Sequence, residues 1–459
     1  MTLLATFLEI VQDWRPVFCQ RRTHLRAVRQ AIGGLLCLGR RTLTRIIWTN
    51  GGQDRSWSAE YHLFSRARWS EQNLFTPILQ RGVAWCTGRY VGMAADDTGL
   101  RKTGRSIVQA FFQRDPLSPH FWTNLMLGLR FVQVSLLVPL YRCGGVAARA
   151  LPIRFELAPV VKRPRRKAPE QEWKQYRAAK KTHNLSQSFV SLMPLLRKAL
   201  DAVGAAAKIL VLAVDGSFCN RTVLAVTLAG VQLVARARKD AVLCFRAATG
   251  SRRFYSPEKF TPEQVLKDPR RPWKTARLFY GGKRRDLRYK ERNSVYWQGG
   301  ARRRPLRLLV VAPTPYRKRN SGRLYYRQPA FLLTTDLTAP ARTLLQIYFD
   351  RWQIEVNHRE EKDTLGIGQA QLWNATSVPR QPVLAVAAYS ALLLASLLTF
   401  GPARVDAYAA LPKWRRKAKR PSCLDLITLL RKEAAEQPQL LAPIGLEPTF
   451  RGFTAAAAA

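Results

Sequence analysis

Residues 343–365, TLLQIYFDRWQIEVNHREEKDTL, set a single carboxylate into a basic stripe on an expected helix. At about 100° per residue, Tyr348, Arg351, Glu355 and Lys362 share one narrow face, and Arg359 joins them. Ile347 and Ile354 flank the stripe on one side and Phe349, Trp352 and Val356 on the other, leaving Asp350, Gln353, Glu360 and Glu361 on the far side. The expected helix is thus clamped by apolar neighbours, solvated behind and polar in front. Two arrangements use these residues. Glu355 pairs with Arg351 and Arg359 at i, i+4 in an internal ion-pair network, or it stands ready for a metal or an anion brought to the cations.

With 459 residues, 47% of them apolar and 10% aromatic, the chain can build two or three domains, at least one with a large core. Against that core stand 76 Lys and Arg and only 30 Asp and Glu, a net charge of +46. Such a field attracts polyanions, so nucleic acid is the first partner implied and a membrane surface the second. The seven cysteines form no CxxC pair and the five histidines are scattered, which excludes zinc-finger and disulfide-framework readings and fits free thiols in a reducing cytoplasm. MTLLATFLEIVQDW reads as an amphipathic helix and not as a secretion signal. Residues 382–400, PVLAVAAYSALLLASLLTF, reach the lower limit for a membrane span, but their Ala and Ser content favours a buried core helix.

Along the chain, residues 1–90 read as a basic helical DNA-binding domain. GGLLCLGRRTLTRI within it carries the turn glycines and arginines of a helix-turn-helix without a nameable recognition helix. Trp57, Tyr61, Phe64 and Trp69 alternate with arginines and either stack on bases or pack. At residue 91, VGMAADDTG is a strand ending in two aspartates, followed by expected strands at 106–113 and 131–141 in a meander. A basic connector at 161–181 becomes a helix, a second helix spans 186–202, and KILVLAVDGSF at 208–218 is a buried strand ending at Asp215. A strand at 231–238 follows. Residues 91–244 are accordingly the first part of a catalytic core, 245–330 a basic β-rich insertion, 331–400 the second part with the Glu355 helix, and 401–459 a helical tail.

Two strand-end aspartates and a helix-borne glutamate can hold two divalent metals about 4 Å apart for phosphodiester chemistry. Three strands, a helix, a further strand and a later carboxylate-bearing helix describe an α/β, RNase H-like mixed sheet. The spacing of Tyr348, Arg351, Glu355 and Lys362, within YFDRWQIEVNHREEKDTLGIGQAQ, resembles the Y-R-E-K signature of a group of bacterial insertion-sequence DDE transposases. DDTG at residue 97, RDPLSP at 114–119 and VDGSF at 214–218 are similar to other segments of that family, so the resemblance spans about residues 90–400.

The resemblance implies a triad of Asp97, Asp215 and Glu355 binding two Mg²⁺, with Mn²⁺ as a substitute. Asp97 is favoured because a threonine follows it, and Asp96 stays open as the alternative. It further implies that Tyr348, Arg351 and Lys362 hold DNA phosphates, and that an aromatic residue of the insertion, Trp273 or Trp297, stacks on a flipped base. The implied protein is a bacterial cytoplasmic transposase, associated with the nucleoid when bound to DNA and not with a membrane. It binds double-stranded terminal inverted repeats, cuts the ends and joins 3′ hydroxyls to target DNA, acting as a homodimer on paired ends. An RNase H-like nuclease without strand transfer and a non-catalytic DNA-binding descendant are the alternatives.

Overall fold

The computed structural model describes residues 1–446 except 116, 117, 120, 319, 320, 416 and 417. Part of RDPLSP and the alanine-rich end of the 401–459 tail therefore lie outside the described residues.

Fourteen strands occur among the described residues: β1 Tyr90–Arg101, β2 Phe111–Arg114, β3 Leu125–Val138, β4 Arg149–Leu157, β5 Ile209–Val214, β6 Val231–Arg236, β7 Leu243–Arg246, β8 Tyr255–Phe260, β9 Lys274–Tyr280, β10 Lys283–Val295, β11 Leu306–Val311, β12 Pro315–Arg317, β13 Leu324–Tyr326 and β14 Ala330–Thr334. Ten of them form one mixed sheet in the order β2-β3-β1-β5-β6-β14-β11-β10-β9, with β4 on the outer edge of β3 beyond β2. β1, β5 and β6 run parallel, and their apolar stretches are buried on both faces, as parallel strands require. The order β4-β3-β1-β5-β6 is the RNase H-like core, with β3 and β4 antiparallel to their neighbours.

The expected strand at 106–113 is shortened to Phe111–Arg114, because the chain turns before it, with Gln109 at φ 66°. The strand β4 was not anticipated. Pro152 lies within it, and this is tolerated because β4 is an edge strand with a register shift opposite Val134 and Ser135. Between residues 243 and 330, β7–β8 and β12–β13 are separate hairpins, whereas β9, β10 and β11 join the main sheet through β14.

The helices are α1 Leu3–Gln12, α2 Arg21–Leu36, α3 Leu43–Thr49, α4 Ser58–Ser65, α5 Thr76–Val83, α6 Glu170–Thr182, α7 Leu185–Ala202, α8 Arg221–Leu224, α9 Pro262–Lys267, α10 Gln298–Ala301, α11 Ala341–Asp350, α12 Trp352–Arg359, α13 Ser377–Phe400 and α14 Cys423–Glu436. The apolar helix α13 is the one segment among the described residues long and apolar enough to cross a membrane, yet it is buried along most of its length against α1, α2, α14 and β4. The helices of residues 1–90 share a continuous core with it and with the sheet. Glu433 of α14 seals this layer by accepting from the backbone N–H groups of Leu3 and Leu4 at the start of α1, at 3.2 and 2.6 Å. Phe64 and Trp69 belong to this core, and Trp57 is exposed. The seven cysteines are unpaired, five of them buried.

On β1 the side chains divide by parity. Val91, Met93 and Ala95 enter the large core shared with the N-terminal helices, while Ala94 joins Leu344, Ile347 and Ile354 of α11 and α12. Gly92 lets α11 close on the strand, since a Cβ there would sit 3.0 Å from Ile347 Cγ2. The helix that carries Glu355 is therefore seated on the even-numbered face of β1.

The helical run itself departs from the expectation of a solvated back. Asp350 and Glu361 are buried, and Glu360 accepts from the Tyr389 hydroxyl of α13 at 2.5 Å. Asn357 donates to Ala150 O of β4 at 3.1 Å and to Tyr389 at 3.0 Å. Trp352, expected among the apolar clamps, is 62% exposed. The back of the helix faces β4 and α13, neither of which the local sequence reveals. After Arg359 a π turn, Glu360–Thr364, adds a residue to the helical repeat and swings Glu361 inward.

Candidate active site

Three chain segments converge at one end of the parallel strands. β1 and β5 are in register through Ala95 and Val214, so Asp96 and Asp215 are the next residues along neighbouring strands. Asp215 ends β5 because its Oδ1 turns back to accept from the backbone N–H and hydroxyl of Ser217, at 2.9 and 2.6 Å, capping a short 3-10 turn. The helix α12, packed over Ala94, brings Glu355 to the same end.

The structure brings Asp96, and not Asp97, to Glu355. Carboxylate oxygens of Asp96 and Glu355 and a ring nitrogen of His358 all lie within 4.8 Å of one another. One guanidinium nitrogen of Arg351 bridges the two acids, 3.3 Å from Asp96 Oδ2 and 3.5 Å from Glu355 Oε1. Asp97 lies on the opposite parity of β1 and is ion-paired at 2.7 Å to Arg130 of β3. Gly92 and Ala94, both small, let α11 and α12 close on the face of β1 that carries Asp96.

Burial, then the charges of Asp215 and Glu355, push the Asp96 carboxyl up to about 7, against the opposing pull of Arg351 and the Asp97 N–H. The cluster is thus short of positive charge even with Arg351 in place. A divalent cation would supply it, and the donor set of carboxylate oxygens suits one. Burial drives the His358 imidazole down to about 3, with Lys362 and Arg351 adding to the effect, so the ring is neutral.

The remaining members of the stripe ring this cluster. Tyr348 is largely buried, which raises its hydroxyl pKa. It also feels Arg351, Arg236 and Asp215. Lys362 is lowered by burial, against the charges of Glu361, Asp363, Asp97 and Asp96. Arg351 Nε is buried without a hydrogen-bond partner among the described residues. Arg359 is exposed, and the ion pairs of Glu355 among the described residues include Arg351 alone.

The family model for DDE superfamily endonucleases matches residues 16–304, a span that includes Asp96, Asp97 and Asp215. The chain belongs to this family. No curated protein matches it. DDE endonucleases act on DNA with divalent metals, and this DDE endonuclease carries an acidic cluster able to hold one. The matched span stops before α11 and α12, so Glu355 is brought in by geometry alone.

Sequence reasoning passed over Arg130 and His358. His358 lies three residues after Glu355, a spacing that puts both on one helical face. The two aromatic candidates of the DDE endonuclease separate clearly. Trp273 is packed beneath Arg288 and Lys290, at 5.5 and 4.7 Å from its ring centre. Trp297 lines a cavity of about 1010 Å³ together with Arg221, Arg238, Lys259, Arg302 and Arg303.

Proposed function

We propose that this DDE endonuclease is a transposase of the Y-R-E-K group, which binds the terminal inverted repeats of a bacterial insertion sequence, cuts its ends and joins them to target DNA. The observation that carries the reading is the convergence of Asp96, Asp215 and Glu355 from segments far apart in the chain, ringed by Tyr348, Arg351 and Lys362. Asp96 takes the first catalytic position, and Asp97 is left to its ion pair with Arg130.

Bound Mg²⁺, or Mn²⁺ in its place, would supply Lewis-acid activation of the attacking oxygen and stabilise the leaving one. Asp96, Asp215 and Glu355 are the residues that would hold it. Arg351 has an unspent buried donor to direct at a phosphate, Lys362 adds a point charge, and Tyr348 adds a neutral donor. The cavity lined by Trp297 and five cations suits a base displaced from the duplex beside its phosphates. The net charge of +46 favours binding two DNA ends, with a homodimer handling the pair and the bacterial cytoplasm as its setting.

The test is joining of a pre-cut 3′ end to a second duplex in Mg²⁺. Joined product is expected, and it should disappear with Asp215→Ala. Cleavage without joining would identify a nuclease that lacks strand transfer.

A further inference from the structure

His358 is the group in this site that the carboxylate chemistry leaves unused. Its ring nitrogen lies within 4.8 Å of ligand oxygens of both Asp96 and Glu355. The residue is only 8% exposed, and its Nε2 has no hydrogen-bond partner among the described residues. A buried imidazole nitrogen without a partner is destabilising, so it is retained where something else satisfies it.

We propose that His358 supplies a nitrogen ligand to the divalent metal held between Asp96 and Glu355, biasing that position toward Mn²⁺ over Mg²⁺. The chemistry follows from donor type. Mg²⁺ takes oxygen ligands and holds its waters, whereas first-row transition ions gain from an imidazole. A carboxylate pair with one neutral nitrogen is therefore a mixed site, tolerant of Mg²⁺ and tighter for Mn²⁺. The i, i+3 spacing of Glu355 and His358 lets one turn of α12 present both donors, so the ligand pair is set by the helix and not by a loop.

This inference rests on the metal-site reading above, and the experiment separates the two. The full chain is loaded with Mn²⁺ alone, without DNA, and electron spin-echo spectra are recorded on unlabelled protein and on protein carrying ¹⁵N-histidine. A directly coordinated ¹⁴N signal that converts to ¹⁵N on labelling, and is lost in His358→Gln, is the expected result. Titration should show the Mn²⁺ dissociation constant rising about tenfold or more in His358→Gln, with that for Mg²⁺ changing less than about threefold. If the variant fails to fold, the labelled parent still reports a histidine nitrogen on the metal, and among the described residues His358 is the histidine grouped with Asp96 and Glu355. Mn²⁺ that binds and is weakened by Glu355→Gln, but shows no histidine nitrogen, would overturn the role of His358 and leave the metal site standing. Mn²⁺ binding indifferent to Glu355→Gln would overturn the metal site itself.

Discussion

Glu355 and Glu361 lie six residues apart on one helical run, yet their surroundings have little in common. Glu355 is partly open to solvent and faces Asp96 across the Arg351 guanidinium. Glu361 is 1% exposed beside Gln133 of β3, and burial raises its carboxyl to about 8. Next to it, Glu360, Tyr389, Asn357, Ser135 and Gln133 form a continuous chain of buried hydrogen bonds joining the helix to α13 and the sheet. Acids on the front are crowded against one another with too little positive charge. Acids at the back are each given neutral donors or left protonated. The first pattern holds a reactive arrangement ready for a cation, and the second fixes the helix that carries it.

Breaking the front should abolish chemistry without unfolding the chain. Glu355→Ala is expected to lower metal-dependent DNA cleavage at least about a thousandfold, the scale of several kcal/mol of lost metal stabilisation, with an unchanged melting curve. Breaking the back should do the reverse. Tyr389→Phe leaves Glu360 and Asn357 short of a partner, and denaturant titration should show a loss of about 1–3 kcal/mol while Mn²⁺ affinity stays the same.

A pH series sharpens the contrast further. Glu361 has a folded pKa of about 8, above its free value of 4.5, so the folded chain keeps a proton that the unfolded chain has released. Its contribution to stability therefore declines as pH rises through that window. Glu361→Gln should flatten the fall in stability between about pH 5 and 8, leaving the parts due to Asp350, whose carboxyl burial also raises to about 8, and to Asp96, raised to about 7. An unaltered slope would place the proton elsewhere. The smallest effect expected is that of Lys362→Ala, which should reduce the slope of log affinity for DNA against log salt by about 0.9, one phosphate contact.

Much of the fold was legible because its signals are local. The strands at residue 91, at 208–218 and at 231–238, the two helices before β5 and the buried nature of α13 all follow from apolar runs and their punctuation. β4 was not legible, since Pro152 argues against a strand unless a bulge on an edge is known. The fate of the basic β-rich stretch was hidden for a related reason: its strands join the main sheet only through the pairing of β14 with β6, across 96 to 100 residues. At the site, the stripe of Tyr348, Arg351, Glu355 and Lys362 could be read from spacing. The choice between adjacent aspartates could not, because it depends on which face of β1 receives α11. The solvated back of that helix was misplaced because periodicity shows two faces of a helix but not whether the second is covered.

Asp96 and Asp97 provide the most direct measurement. Each is replaced by Asn, which keeps shape and removes the charge, and both proteins are assayed for Mg²⁺-dependent cleavage of DNA alongside the parent. Cleavage should fall at least about a thousandfold in Asp96→Asn and stay within about tenfold of the parent in Asp97→Asn. Full loss in Asp97→Asn with activity kept in Asp96→Asn would contradict the site described here.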